Sequence, residues 1–376
     1  MKIRESIYRL LFKFYYKLKF KFVVKYNDFD PKRKDPYILV GNHSCLHDGI
    51  FISTLLRKPP VPVINAFLFV SPFTKFLLTK MYPSIPKRKG QSDLVTVRSM
   101  MRTLKGGRGV MLFPEGNSSY YGKESTIPFS TVKFFKKVKR DIVVVKNNGG
   151  YLVNARWGAK DVKRGLIEVE FFTLFKGEEL EKYSLDEIYS KLQEAIKFND
   201  YDWNREKKHE YNPKKRALGL EKFMYVCPKC NSHQTISTKG NKVFCKNCGE
   251  IAHFNKYCLL EGLEFDNLVD WGEYQKNRIP EISKKILYTF GDMFDVDVIK
   301  YEKYKIGYVD IEFIENTLHV QHRDKEYSFS LAKIENITLT LKREISFNYE
   351  DKTYLFVLRD PMLIYDVVKY KMEELV

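Results

Sequence analysis

Three short runs without a charged side chain, Tyr37–Val40, Gly109–Phe113 (with Arg108 just outside it) and Ile142–Val145, constrain this chain more than any other feature. Apolar runs of this length, rich in Ile, Val and Leu, suit strands covered on both faces, as in parallel sheets packed between helices. The first run leaves through the turn Gly41–Ser44 into a helix expected over Asp48–Leu56, and the second ends in Pro114-Glu115-Gly116. Leu166–Phe172 reads as a later strand. Ser184-Leu185-Asp186-Glu187 then opens a helix towards Asn199 with a capping-box pattern. The fold class is therefore α/β, with the alternating elements expected over residues 27–200.

The first turn places chemistry where open α/β sheets gather their ligands, at the carboxyl end of a strand just ahead of a helix. His43 and Asp48 lie close together there. A neutral imidazole removes a proton near pH 7, and a carboxylate on its other ring nitrogen fixes the tautomer and stabilises the imidazolium that forms. Taken alone, the same residues also read as a loop histidine and a helix-starting aspartate. Cys45 beside them is a second nucleophile by type, expected to be a packed neighbour. In the second turn, glycine lets backbone approach a ligand, and Glu115 with free N–H groups can bind a hydroxyl or an anionic head group.

Together the segments Gly41-Asn42-His43-Ser44-Cys45-Leu46-His47-Asp48 and Phe113-Pro114-Glu115-Gly116-Asn117-Ser118-Ser119 resemble the 1-acyl-glycerol-3-phosphate acyltransferase family of glycerolipid acyltransferases. The resemblance covers roughly residues 35–180. It implies a mixed sheet flanked by helices, with His43 as general base, Asp48 orienting it, and Asn42, Glu115, Gly116, Asn117 and Ser118 at the substrate. It further implies that Arg88, in Pro86-Lys87-Arg88-Lys89-Gly90, meets phosphate; a guanidinium grips phosphate through two parallel hydrogen bonds, with Lys87, Lys89 and Lys123 as further cations. Two departures stand out. Asn117-Ser118 replaces the family's Thr-Arg after Pro-Glu-Gly, and Asp141–Val145 has valine where the family's Val-Pro-Val has proline. Acyl-CoA or acyl-carrier protein is the implied donor, with direct transfer to the alcohol and no catalytic metal.

Charge divides the chain. Residues 257–376 hold 16 Lys and Arg against 23 Asp and Glu, so the surplus belongs to residues 1–256, with 49 against 24. Such a basic segment is drawn to anionic lipid or to nucleic acid. The amino terminus favours lipid: over residues 1–26, Ile3, Ile7, Leu10, Leu11, Phe14, Leu18 and Phe22 share one face at helical spacing, with Lys2, Arg9, Lys13 and Lys17 opposite. Phe12, Tyr16 and Phe20 are expected near the interface, where rings sit between water and lipid. Lysines recur too often for a spanning helix or a cleaved leader. The uncharged run Pro59–Thr74 is 16 residues long but carries four prolines, which suits an apolar wall or interfacial segment.

Cys227-Pro-Lys-Cys230 and Cys245-Lys-Asn-Cys248 form two knuckles at zinc-ribbon spacing, expected over residues 222–257 after a polar linker at 201–221. Four thiolates leave a zinc ion no open position, so the expected role is structural. Disulfides are the alternative pairing, and His233 and His253 are alternative ligands. In residues 258–376, Leu268–Phe290 reads as a helical or mixed segment broken at Pro280. Period-two stretches follow at Ile306–Ile314, Thr317–Gln321, Tyr327–Leu331, Ile337–Leu341, Ile345–Tyr349 and Thr353–Leu358, then a helix Pro361–Glu374. This pattern resembles small barrels of the pleckstrin-homology or GRAM type.

The expected protein is a peripheral enzyme on the cytoplasmic face of a membrane, acylating a lysophosphatidic-acid-like glycerolipid in phospholipid biosynthesis. The expected partners are an anionic membrane surface, a lysophospholipid acceptor and the acyl donor, with a protein partner open to the ribbon or the last domain; nucleic acid is not expected. Two other readings remain: a different lysophospholipid or lipid alcohol as acceptor, or a non-catalytic binding protein whose ribbon recruits a partner on an acyltransferase scaffold.

Overall fold

The computed structural model describes residues 3–87 and 94–375. They fall into two compact units, one holding residues up to 87, 94–156 and 161–212, the other 157–160 and the chain from Pro213 onward.

The first unit begins with helix α1 (Ile3–Lys19) and strands β1 (Lys21–Tyr26) and β2 (Ile38–Gly41), followed by α2 (Asp48–Leu55) and β3 (Val61–Asn65). Then come α3 (Pro72–Phe76), β4 (Ile85–Lys87), α4 (Leu94–Lys105), β5 (Val110–Leu112), α5 (Ser130–Val138), β6 (Ile142–Asn148) and α6 (Gly150–Val153). Strand β7 (Leu166–Phe175) and helices α7 (Leu185–Ile196) and α8 (Asp200–Lys207) complete it. The seven strands form one sheet in the order β1-β7-β6-β2-β5-β3-β4, parallel throughout except where β6 meets β7. The apolar runs are its centre: Ile38, Val40, Val110, Ile142 and Val144 are sealed from solvent. Helix α7 adds Ile188, Leu192 and Ile196, one residue per turn on a single face, and both halves of the Ser184–Glu187 capping box are formed.

Two expectations change here. The amino-terminal helix ends at Lys19, and Phe22 belongs to β1, which pairs in parallel with β7 from Lys21↔Leu166 to Tyr26↔Phe171. The β-branched pair Val23-Val24 suits that ladder. Ile7, Leu10, Leu11, Phe14 and Leu18 of α1 are exposed, whereas Tyr16 and Phe20, expected at a lipid interface, are 2% exposed and packed on His47 and Phe51. Arg9, expected on the outer polar face, turns inward and donates to the Arg57 carbonyl at 2.6 Å. The expected linker 201–221 is folded in both units: Asn199 caps α8, and Tyr201, Tyr211, Ala217 and Leu220 are buried. Its polar composition hid a buried residue at short intervals.

The second unit has a four-stranded antiparallel sheet, β8 (Ile236–Lys239), β9 (Lys242–Cys245), β10 (Gly249–Phe254) and β11 (Leu260–Glu261), ordered β11-β10-β9-β8. Helices α9 (Leu268–Lys276) and α10 (Ile279–Ile282) follow, with Pro280 in the first turn of α10, where its missing N–H does no harm. Strands β12 (Leu287–Asp297), β13 (Glu302–Ile314), β14 (Thr317–His322), β15 (Lys325–Ser330), β16 (Ile334–Thr340), β17 (Glu344–Tyr349) and β18 (Lys352–Leu358) precede α11 (Pro361–Glu374). The sheet is antiparallel in the order β15-β14-β13-β12-β18-β17-β16, so no hydrogen-bonded ladder closes it into the expected barrel. Phe329 on β15 instead packs against Phe347 of β17 and Phe356 of β18, folding one face onto itself. Strand β12 falls within and beyond the segment expected to be helical or mixed. Gly291 explains part of that: an added Cβ would stand 2.1 Å from the Val357 carbonyl oxygen, so the residue that weakens the strand signal is the one that admits β18.

Candidate active site

Parallel pairing of β2 with β5 and β6, in the registers Val40↔Leu112 and Gly41↔Val145, brings the carboxyl ends of three strands to one edge of the sheet. The loops leaving β2 and β5 and the end of β6 meet there. Asp48 opens α2 with no exposed surface. One of its carboxylate oxygens accepts from Cys45 N at 2.9 Å and lies 2.9 Å from His43 Nδ1, while the other accepts from Cys45 Sγ at 3.0 Å and lies 3.3 Å from Ser44 Oγ. An ionised carboxylate only accepts, so Nδ1 carries the hydrogen of this bond and the lone pair lies on Nε2. The imidazole stacks on Phe113, centroids 4.6 Å apart, and its side chain keeps 19% of its surface. Cys45 is buried, which pushes its thiol well above the ordinary value.

Glu115 joins the two turns. Its Oε1 accepts from His43 N and its Oε2 from Ser125 N, each at 2.7 Å, and Ser119 N donates to the His43 carbonyl at 2.7 Å. Burial pushes the Glu115 carboxyl up to about 8, against the pull of those two donors and with the charge of Asp48 adding to the rise. Both oxygens hold main chain, so Glu115 fixes the loop that carries His43, where the sequence had placed it at the substrate.

Within this geometry, residues 23–162 match the family model described as Acyltransferase. Over this segment the chain is similar to that family. The 1-acyl-sn-glycerol-3-phosphate acyltransferase of Saccharomyces cerevisiae is 27% identical over 168 residues, which cover 43% of this chain and 55% of the yeast protein. The chain thus spans about half the length of that relative. A crystal structure of a 1-acyl-sn-glycerophosphate acyltransferase from Thermotoga maritima is similar at 17% identity over 55% of this chain and 79% of that one, with a TM-score of 0.42. Inner membrane complex sub-compartment protein 3 of Toxoplasma gondii is similar at 10% identity over 27% and 82%, with a TM-score of 0.19. At these scores neither likeness carries the assignment.

In this segment, the remaining residues expected at the substrate divide. Asn42 has no exposed surface: its Nδ2 donates to the Asn147 carbonyl at 2.7 Å and its Oδ1 accepts from Asn147 N at 2.8 Å, so its amide serves the fold rather than a ligand. Gly116 is exposed at φ +74°, at the tip of the turn, with Asn117 half-buried beside it. Ser118 is 2% exposed, and its carbonyl accepts from the buried Arg156 at 3.1 Å. Arg88 and Lys89 lie outside the described residues; Lys87 ends β4, exposed and opposite Asn65.

Three positions that the sequence left unassigned complete the candidate site. Asn147 returns Asn42's bonds through Nδ2, 3.0 Å from the Asn42 carbonyl, and its Oδ1 accepts from Ser44 Oγ. Gly150 sits so close to Ser44 that an added Cβ would meet its Oγ at 2.1 Å. Asp200, fully buried, accepts from Gly149 N and Tyr151 N, each at 2.8 Å, and holds this turn in place; burial pushes it up to about 7. Only a pair of asparagines after a valine run signalled any of this.

In the second unit, Cys227, Cys230, Cys245 and Cys248 place their sulfurs within 4.8 Å of one another and could hold a metal ion. Cys227–Cys248 is 4.0 Å and Cys230–Cys245 is 3.7 Å, too long for disulfides and close to the roughly 3.8 Å edge of a tetrahedron of thiolates about 2.3 Å from zinc. Asn247 N points at Cys245 Sγ at 3.4 Å, and the Cys227 carbonyl and N–H close the first knuckle on Asn231 and Ser232. The four-cysteine group includes neither alternative ligand: His253 pairs with Glu261 at 3.0 Å, and the buried Nδ1 of His233 has no hydrogen-bond partner among the described residues.

Proposed function

We propose that this protein transfers an acyl group from a thioester, acyl-CoA or acyl-carrier protein, to the hydroxyl of a lysophosphatidic-acid-like glycerolipid at a membrane surface. The reading rests above all on the 2.9 Å contact between His43 Nδ1 and Asp48, with Nε2 left to act as base and Phe113 and the Glu115 clamp holding the ring. Nε2 takes the proton of the acceptor hydroxyl as its oxygen attacks the thioester carbonyl; the C–S bond breaks, and the proton passes to the departing thiolate. Asp48 stabilises the intervening imidazolium. Cys45, buried with a raised pKa, is unsuited to an acyl-enzyme. Arg88 is the proposed phosphate ligand, and Gly116 with Asn117 lines the approach.

A second acceptor class, another lysophospholipid or lipid alcohol, is favoured by Asn117-Ser118 in place of Thr-Arg, since the side chain at 118 is small, uncharged and buried. Incubating purified protein with acyl-CoA or acyl-carrier protein and a panel of lysolipids, read by lipid mass analysis, separates the two. Product from wild type and none from His43→Ala of equal melting temperature supports the mechanism; full turnover by His43→Ala overturns it.

The exposed stripe Leu10, Leu11, Phe14 and Leu18, with Phe73 and Phe76 at 73% and 57% exposure, supports a peripheral seat on lipid, proposed to be the cytoplasmic face. No helix among the described residues is long and apolar enough to cross a membrane. The four cysteines are proposed to hold a structural zinc ion that fixes both knuckles, making residues around 222–257 a zinc ribbon. The seven antiparallel strands with α11 support a pleckstrin-homology-like final module, open to a protein partner.

A further inference from the structure

Acyl transfer leaves a charge cluster in the second unit unused. Between Pro213 and Glu261 the chain has nine Lys and Arg against three Asp and Glu, and the fold gathers five of those lysines round one turn. The β8–β9 hairpin turns at Gly240-Asn241, between Lys239 and Lys242. Asn241 is the hub. Its Oδ1 accepts from Arg216 N at 2.9 Å, its Nδ2 donates to the Pro213 carbonyl, and its own carbonyl accepts from Phe254 N at 2.9 Å. Ala217 N adds a bond to the Gly240 carbonyl at 3.1 Å. These contacts lay Lys214-Lys215 along one side of the turn and the Phe254–Lys256 segment along the other.

Lys214, Lys215, Lys239, Lys242 and Lys256 are all exposed. Lys242 pairs with Glu250 at 2.7 Å and Lys256 lies 5.0 Å from the Tyr257 ring, while among the described residues Lys214, Lys215 and Lys239 form no ion pair. Like charges held together repel, so this arrangement costs stability unless an anion neutralises it. Single-stranded nucleic acid is gripped by basic grooves together with exposed rings that stack on bases. Among the described residues from 213 to 261, no large apolar side chain and no Phe, Tyr or Trp is exposed, and the exposed ring of His253 is paired with Glu261 at 3.0 Å. A plane of phosphate head groups requires only the charge.

We propose that this lysine cluster is a binding surface for anionic phospholipid head groups, a purely electrostatic contact separate from the apolar stripe of α1. The choice of lipid over other polyanions rests on the membrane-surface reading above, but the contact itself needs no turnover. The test is co-sedimentation of the full chain with vesicles of phosphatidylcholine alone or mixed with phosphatidylserine, over a salt series. Wild type should prefer the anionic vesicles and lose that preference as salt rises. Lys214→Glu/Lys215→Glu/Lys239→Glu should weaken binding to them by at least about fivefold per lysine. Its melting temperature should not fall, since repulsion is relieved, and its turnover of detergent-dispersed substrate should not change. A Lys→Gln triple repeats the measurement should the Glu variant fail to fold. Unchanged binding of a folded triple to anionic vesicles overturns the proposal, as does lysine-dependent binding of a single-stranded oligonucleotide with vesicle binding unaffected. Absence of acyl transfer would leave the vesicle result standing and count only against the proposed reaction.

Discussion

Asn42 and Asn147 hold each other's main chain: Asn42 Nδ2 donates to the Asn147 carbonyl at 2.7 Å, and Asn147 Nδ2 returns a bond to the Asn42 carbonyl at 3.0 Å. Both residues are wholly buried, and His43 is the next residue along the chain. Asn147→Ala should therefore leave buried amide groups unpaired, at a cost of about 1–3 kcal/mol in stability. Displacing His43 should lower kcat on the order of 10²-fold while KM moves little. Gly150→Ala should act on the same contact from the far side by pushing Ser44 away from Asn147 and Asp48. Melting curves and steady-state kinetics check both. A stable Asn147→Ala enzyme with wild-type kcat would remove Asn147 from the site.

Asp48→Asn keeps the shape of the carboxylate but loses its charge. The expected outcome is a fall in kcat on the order of 10²–10⁴-fold with the fold intact, because the imidazolium loses its counter-charge and the ring its preferred tautomer. Kinetics with circular dichroism decide it. Near-normal kcat would leave Asp48 a helix-starting residue only.

Glu115 and Asp200 give stability a definite dependence on pH. Each carboxyl is raised by folding, from 4.5 to about 8 and from 3.8 to about 7, so the native state keeps protons that the unfolded chain has already released. Stability from these two groups is fully present below their unfolded values and is lost as pH climbs through the folded ones. Chemical denaturation from mildly acidic to mildly alkaline pH should show the decline, and Glu115→Gln with Asp200→Asn should flatten it. Stability that rises over that window, with no change in slope in the double variant, contradicts the assignment.

Metal removal should act on the second unit. One zinc per chain is expected by elemental analysis; a chelator should release it and expose Cys227 and Cys245, both buried in the intact protein, to thiol reagents, and Cys245→Ser should release it and expose Cys227. A chain that purifies without metal and keeps its melting temperature in chelator would argue against a metal staple.

Leu10→Asp/Phe14→Asp replaces two exposed side chains, at 68% and 66%, so folding should be unaffected. Binding to neutral phosphatidylcholine vesicles should fall by at least tenfold, since roughly 1.5–3 kcal/mol attaches to each large apolar side chain buried. Co-sedimentation reads the loss directly.

The legible parts were those whose signal is local. The runs Ile38–Val40 and Ile142–Val145 announce strands because their side chains alone forbid exposure on either face, and the capping box at Ser184 and Glu187 lies within four consecutive residues. Glu115 misled because its partners are main-chain N–H groups of His43 and Ser125, which no pattern of side chains reveals. The helical period of α1 was plain, yet it carries two apolar stripes. Packing on His47 and Phe51 selected Tyr16 and Phe20 as the buried one and left the aliphatic stripe outside.

What the amino-acid order determined by itself was the central strands β2, β5 and β6 with helix α7, the proximity of an imidazole to an acid, and two cysteine knuckles at metal spacing. All of these follow from steric preference and periodicity within a few neighbouring residues. Only the tertiary structure decided that β6 lies beside β2, which turns Asn147 from the end of a valine run into the clasp of the loop that carries His43, and that Asn241 gathers lysines from three separate segments. Such pairings depend on registers across long stretches of chain, where hydrogen bonding between distant backbones, not local preference, chooses the neighbour.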